Sequence, residues 1–331
     1  STIKICALAL AVIYVCFIWN SYQIQCMDGA KVVFNNLDNG THSVAHSLND
    51  MIAHIVDKES RSFLPQFLYP DRRLSEVELV IGIPTVRRQN ASYLISTLSE
   101  LFEKAYVEDL NKIRIVVMIS ENPDKHPLFM KNLISELRKN FQDRFDSQIL
   151  QIFIPPKQWF PLDLDSMQPT LGDAPSRMFW RTKQSLDYAY LMSYSAKQGK
   201  YYLQLEDDII AAKDYTNIIL RIVKNPGWFL MELSNLGFIG KLIHSYDIPL
   251  LAVHILSHYK YKPVDWLLDD YLRTRFCRPD RDWNHCMQEI AKYRLKPNRS
   301  LFQHIGYFSS LPGKIQRLKD SAFSSDARKT R

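Results

Sequence analysis

Five short stretches of this chain are almost wholly apolar, and between them run segments whose apolar positions recur every three or four residues. VELVIGIPTV (77–86), IRIVVMIS (113–120), ILQIFIPP (149–156), YYLQLEDDII (201–210) and WFLMEL (228–233) have the length and composition of buried strands. YLISTLSELFEKAY (93–106), LFMKNLISELRKN (128–140) and SLDYAYLMSYSAK (185–197) carry helical spacing. Strands alternating with helices predict an α/β body, a mostly parallel sheet flanked by helices. In such sheets ligands gather at the carboxyl ends of the strands.

The fourth strand ends in three consecutive acids, Glu206, Asp207 and Asp208. Adjacent carboxylates repel one another and resist desolvation, so solvent, a cation or a metal must neutralise them. The first strand leads into Pro84-Thr85-Val86-Arg87-Arg88 and the second into Ser120-Glu121-Asn122, at the same expected edge. Arginines there can offer paired donors to phosphate or stack on a planar ring. Glu121 can accept from a base or a sugar, and the acids suit magnesium or manganese, which in turn takes diphosphate oxygens. Neither GxGxxG nor GxxxxGK[ST] occurs, which excludes a dinucleotide fingerprint and a phosphate loop of those types. Arg181, Lys183 and Gln184, ahead of the acidic strand, either reach a diphosphate or line a solvated helix face. Trp159 and Phe160 either stack on a sugar ring or pack in the core.

Ahead of the body the pattern changes. Residues 5–19 (ICALALAVIYVCFIW) are uncharged and apolar, bounded by Lys4 and by Asn20-Ser21. The run is shorter than the roughly 20 residues of a typical membrane helix, a deficit that tilt and thinning absorb. No small-x-small cleavage site follows it, so an uncleaved signal anchor over 1–20 is expected, with everything beyond it lumenal if Lys4 is the inside charge. Residues 21–74 read as a stem, in which Val44, Leu48, Met51 and Ile55 form a helical stripe: a short seam for a homodimer, or an amphipathic helix lying on the body. The body is expected over 75–320 and a polar tail over 321–331. Asn39, Asn90 and Asn298 begin glycosylation sequons. Cys277 and Cys286 suit a local disulfide in an oxidising compartment, leaving Cys26 to pair between chains. A charge of +7 from 42 basic and 35 acidic residues is a mild excess with no dense basic run in the body, so nucleic acid is not an expected partner.

GIPTVRR (82–88), YYLQLEDDII, LGFIGKL (236–242), KPVDWLLDD (262–270) and SLFQHIGYFSSLPGKIQ (300–316) together resemble the alpha-1,3-mannosyl-glycoprotein 4-beta-N-acetylglucosaminyltransferase family, N-acetylglucosaminyltransferase IV. The resemblance runs in order through nearly the whole body. It implies a GT-A-like fold held in the Golgi membrane as a single-pass type II protein. It also implies transfer of N-acetylglucosamine from UDP-GlcNAc, in β1,4 linkage, to the α1,3-arm mannose of glycoprotein N-glycans. Such a transfer inverts the anomeric centre, and a carboxylate takes the acceptor proton in a single displacement. The implied cofactor is a divalent metal, manganese, on Asp208, with His304 either a second ligand or a core histidine. Glu206 and Asp207 would hold water, ribose or sugar; Arg87 and Glu121 the uridine; Lys183 the diphosphate. Asp265 is the implied base, with Asp269, Asp270 and Glu232 as the other carboxylates in range. Many family members carry a further sugar-binding module, whereas this sequence ends in SAFSSDARKTR, so weaker acceptor selection is expected. The alternative expectation is a non-catalytic Golgi resident that binds and modulates other glycosyltransferases.

Overall fold

A strand buried on both faces needs apolar residues at successive positions, and Leu79 through Ile83 supply them with Gly82 as the one gap. The computed structural model describes residues 64–70 and 75–325; the apolar run at 5–19, Cys26, Asn39 and the stripe from Val44 to Ile55 lie outside the described residues. The strands are β1 (Phe67–Tyr69), β2 (Val77–Thr85), β3 (Ile113–Ile119), β4 (Leu150–Ile154), β5 (Gly199–Gln204), β6 (Ile209–Ala211), β7 (Leu230–Glu232), β8 (Lys241–His244), β9 (Arg294–Leu295) and β10 (Phe302–His304). The helices are α1 (Leu94–Lys104), α2 (Pro127–Asp146), α3 (Pro175–Ser195), α4 (Tyr215–Ile222), α5 (Ile248–His258), α6 (Val264–Phe276) and α7 (Trp283–Tyr293). Among the described residues no helix is long and apolar enough to cross a membrane.

Alternate side chains of β2 point to opposite faces, and each face has its own core. Leu79, Ile81 and Ile83 pack with Leu94, Leu98 and Leu101 of α1 and with Leu133 and Leu137 of α2. Val80, Val116 and Met118 pack with Leu186 and Ala189 of α3 and with Leu251 and Ile255 of α5. Each of the Leu, Ile, Val and Met side chains among these, fully buried, contributes about 1.5–3 kcal/mol. Gly82 leaves room for the Tyr202 ring, whose hydroxyl would stand 2.3 Å from a Cβ at that position.

Strand order in the main sheet is β1-β4-β3-β2-β5-β8-β7-β9. β4, β3, β2 and β5 are parallel, with Ile81 paired to Ile115 on one side and Leu203 on the other. β1 on one margin and β8 on the other run antiparallel to these four, and β7 and β9 beyond β8 run in their direction again, so the sheet is mixed and its centre is the parallel array expected. β1 lies within the stretch read as stem, and its backbone pairs with β4. From β2 the chain builds outward to β3 and β4, then returns past β2 to lay down β5. That reversal makes the carboxyl ends of β2 and β5 the switch point where open α/β sheets hold ligands.

The strand expected over 201–210 is two strands. The ladder continues to Leu205, whose N–H donates to the Gly82 carbonyl at 2.9 Å, and then the three acids turn the chain out of the sheet. Leaving the sheet there lets Arg88 and His304 reach the buried carboxylates of Asp207 and Asp208 and offset their desolvation. β6 then pairs with β10 in a separate antiparallel ribbon.

Candidate active site

The β6–β10 ribbon sets His304 opposite Ile209, the residue after Asp208. The Ile305 N–H donates to the Asp208 carbonyl at 2.9 Å, and the Thr97 hydroxyl of α1 donates to the Asp207 carbonyl at 2.8 Å. Backbone bonds from two sides therefore fix the acidic turn while its carboxylates stay directed to the switch point. Gly306 is required there, because a Cβ would come 2.0 Å from Asp208 Oδ2.

The three acids have different partners. Arg88 grips Asp207 with both terminal nitrogens, Nη1 to Oδ2 at 2.7 Å and Nη2 to Oδ1 at 2.6 Å, and Thr85 adds a 2.5 Å bond. A bidentate, hydrogen-bonded pair of this kind consumes most of the lone pairs of Asp207. Asp208 Oδ2 meets Arg88 Nη2 at 3.2 Å and His304 Nε2 at 3.3 Å, while its Oδ1 is buried with no partner. Among the described residues Glu206 accepts a single 3.3 Å bond, from the Tyr188 hydroxyl of α3. Burial, then the charge of Asp208, pushes Glu206 up to about 8. Burial also raises Asp207, against the opposing pull of Arg88. For His304 burial pulls the other way, yet its bond to Asp208 and the charge there leave the imidazole above its ordinary value.

Ligand atoms of Glu206, Asp208 and His304 all lie within 4.8 Å of one another. Two carboxylate oxygens and an imidazole nitrogen suit a divalent cation of the manganese type. The unpartnered Oδ1 of Asp208 and the space that Gly306 leaves fit such an ion. Asp207, committed to Arg88 and Thr85, is excluded from that set.

The remaining expected residues divide sharply. Arg87 carries an exposed side chain and contributes its N–H to Glu121 at 2.8 Å, so Arg88 is the arginine that reaches the acids. Glu121 is thereby tied to the β2 exit, with His126 3.9 Å away. Lys183 does not extend into the open. Its ammonium has three protons, and these go to the Ser120 carbonyl (2.8 Å), the Ser120 hydroxyl (2.6 Å) and Asp187 (2.8 Å). Arg181 is buried against Asp173 and Thr170, and Gln184 donates to the Tyr188 hydroxyl. Trp159 is core, its indole N–H on the Leu186 carbonyl.

Ion pairs separate the four candidate bases. Glu232 is buried between Arg294, which binds it bidentately at 2.8 and 2.9 Å, and Lys241 at 3.1 Å, and it is held down at about 2 despite opposing burial. Asp269 takes the other arm of Arg294 at 2.8 Å, and Asp270 takes Lys262. Asp265, in the first turn of α6, has no such pair among the described residues. Asp265 is itself exposed, and desolvation by its surroundings shifts it upward from its ordinary value, with Lys241 opposing. Glu206 and Tyr188 feel its charge, which puts Asp265 within electrostatic reach of the acidic turn.

Cys277 and Cys286 are joined by a disulfide that links the end of α6 to α7. Asn90 and Asn298 are exposed. Sequence reasoning set Arg88 aside for its neighbour and missed Tyr188, Gly306 and Lys241. Arg87 and Arg88 are indistinguishable until strand direction is known, and a tyrosine on a helix carries no local signal.

A family model described as the MGAT4 conserved region matches residues 43–323. The alpha-1,3-mannosyl-glycoprotein 4-beta-N-acetylglucosaminyltransferase A of Rattus norvegicus is 40% identical over 275 residues, 82% of this chain and 51% of that protein. The Bos taurus protein of the same name is 42% identical over 250 residues, 75% of this chain and 46% of that protein. Transferase B of Danio rerio is 38% identical over 275 residues, 82% of this chain and 49% of that protein. The chain thus spans about half the length of the curated relatives it matches. Among solved structures, mouse xyloside xylosyltransferase 1 in its apo form aligns with 67% of this chain and 85% of its own, at 11% identity and a TM-score of 0.36. A Pyrobaculum calidifontis mannosyltransferase in complex with GDP-Man and Mn2+ aligns with 53% of this chain and 39% of its own, at 14% identity and 0.29. Likeness at those scores carries no argument.

Proposed function

The chain belongs to the MGAT4 family, and from that premise we propose that its body is a GT-A-like, metal-dependent, inverting glycosyltransferase. It moves N-acetylglucosamine from UDP-GlcNAc, in β1,4 linkage, to the α1,3-arm mannose of glycoprotein N-glycans. The observation that carries this reading is the division of the acidic turn: Asp207 bound to Arg88, and Glu206, Asp208 and His304 left converging around an unpartnered carboxylate oxygen. The names of the relatives support the donor and the acceptor.

Glu206, Asp208 and His304 would hold the cation, manganese in this reading. When bound, the ion neutralises the diphosphate as it departs. Arg88 keeps Asp207 from competing for the same ion and holds a fixed positive charge at the diphosphate edge. Asp265 accepts the proton of the attacking acceptor hydroxyl, and its raised proton affinity improves it as a base at neutral pH. Lys241 stays on Glu232, which keeps its ammonium from pairing with Asp265. Glu121, at the end of β3, is available to the uridine. An N-terminal anchor would hold this body in the Golgi lumen, a location with which the Cys277–Cys286 disulfide is consistent.

The test is incubation of the protein with UDP-GlcNAc, manganese and a biantennary N-glycan whose arms end in N-acetylglucosamine, followed by product mass and linkage analysis. A β1,4-linked product supports the proposal. No product, from folded protein that still binds UDP in a manganese-dependent way, would replace it with a non-catalytic partner of other glycosyltransferases.

A further inference from the structure

The loop from Val86 to Tyr93, between β2 and α1, is exposed at its crown and fastened at both ends. On the entering side the Arg87 N–H is bonded to Glu121, and the Arg88 side chain is buried on Asp207 and Asp208. On the leaving side the Tyr93 hydroxyl accepts the N–H groups of Tyr307 (3.2 Å) and Phe308 (3.1 Å), just past the metal-site histidine. The Arg88 guanidinium lies 5.3 Å from the Tyr93 ring centre and so connects the two ends. The loop therefore bridges the acidic turn and the segment after His304, and its crown cannot swing away without breaking a buried ion pair.

That crown carries Asn90-Ala91-Ser92, with both Asn90 and Ser92 exposed. Asn90 lies two positions from Arg88 and three from Tyr93, spans of at most about 7 and 11 Å between Cα atoms. We propose that Asn90 bears an N-linked glycan that stands over the mouth of the site and restricts the bulk of the acceptors that reach it. The attachment uses a lipid diphosphate-linked oligosaccharide. Asn90 Nδ2 bonds to its first anomeric carbon, the bond from that carbon to the lipid diphosphate breaks, and one amide proton passes to the attaching enzyme. A branched oligosaccharide on a fixed loop occupies solvent that a branched glycoprotein acceptor must cross, whereas a small acceptor passes beside it. Only the identity of the entering ligand rests on the transferase reading; occupancy of Asn90 does not.

Full-length protein made in cells that perform N-glycosylation tests this, by mass spectrometry of the peptide containing Asn90. Wild type, Asn90→Gln and Ser92→Ala are then titrated, with UDP and manganese present, with a biantennary glycopeptide and with a disaccharide taken from one arm. Ser92→Ala keeps the Asn90 side chain and removes only the glycan. The expected results are an occupied Asn90, affinity for the glycopeptide raised about threefold or more in both variants, and affinity for the disaccharide unchanged. An unmodified Asn90, or glycopeptide affinity equal in wild type and Ser92→Ala, overturns the proposal, as does an effect confined to Asn90→Gln. Absence of turnover alongside the expected binding pattern would overturn the transferase reading alone.

Discussion

Arg88 neutralises a carboxylate that could not otherwise stay ionised where it is. Its side chain and those of Asp207 and Asp208 are nearly buried, and burial alone would drive Asp207 toward its neutral form. Removing one partner of a buried pair typically costs about 3–5 kcal/mol, because the charge left behind is uncompensated. Arg88→Met should therefore lower the unfolding midpoint strongly in the absence of metal, and Arg88→Lys, which restores charge without the bidentate fork, should recover part of the loss. Equal midpoints for Arg88→Met and wild type would contradict this role. At Asp265 the expectation is reversed: Asp265→Asn should leave stability and UDP binding intact while turnover falls about 10²–10⁴-fold, the usual worth of a positioned base. The acids were legible at the end of a strand pattern and Asp265 was implied by the family resemblance, but the choice of arginine was not legible. Which of two adjacent residues faces a site depends on where the strand ends, and β2 ends at Thr85, inside the motif.

At the scale of elements, the acidic turn depends on what leaves the sheet. The ribbon of β6 and β10 carries His304 to Asp208, and Gly306 lets the chain pass over the carboxylate. Gly306→Ala should push the Asp208 side chain aside and weaken manganese binding about tenfold or more, as changes next to a ligand commonly do; a manganese titration checks it. Glu232 ties β7 to β8 and to α6 through Lys241 and Arg294. Its folded value of about 2 lies below the ordinary 4.5, so its contribution is fully present above pH 4.5 and is lost as pH falls toward 2. The shift corresponds to about 3 kcal/mol, offset in part because burial pulls Lys241 below the ordinary lysine value even beside this partner. Unfolding midpoints measured from pH 6 to 3 should fall less steeply for Glu232→Gln than for wild type. The apolar runs made β2, β3, β4 and β7 legible, whereas the break within YYLQLEDDII was not. Apolar residues continue on both sides of the acids, and nothing in that pattern marks where the chain turns out to meet Arg88 and His304.

At the scale of the molecule, alternation of strands and helices predicted a parallel sheet, and the centre of the sheet is parallel. Its antiparallel margin was hidden because β8 has only four residues, Lys241–His244, beginning with a buried lysine that no apolar pattern reveals. The functional consequence lies at the reversal between β2 and β5, which brings GIPTVRR and LEDD together although more than a hundred residues separate them. In the proposed function this junction holds nucleotide through a metal on Glu206, Asp208 and His304 while Asp265 performs the proton transfer. Calorimetric titration of UDP with manganese, paired with single-turnover transfer from UDP-GlcNAc, separates the two roles in wild type, Asp208→Ala and Asp265→Asn. Asp265→Asn should bind UDP as wild type does and transfer about 10²–10⁴-fold more slowly, and Asp208→Ala should do neither. Manganese-dependent UDP binding retained by Asp208→Ala, or transfer at the wild-type rate by Asp265→Asn, would contradict these roles.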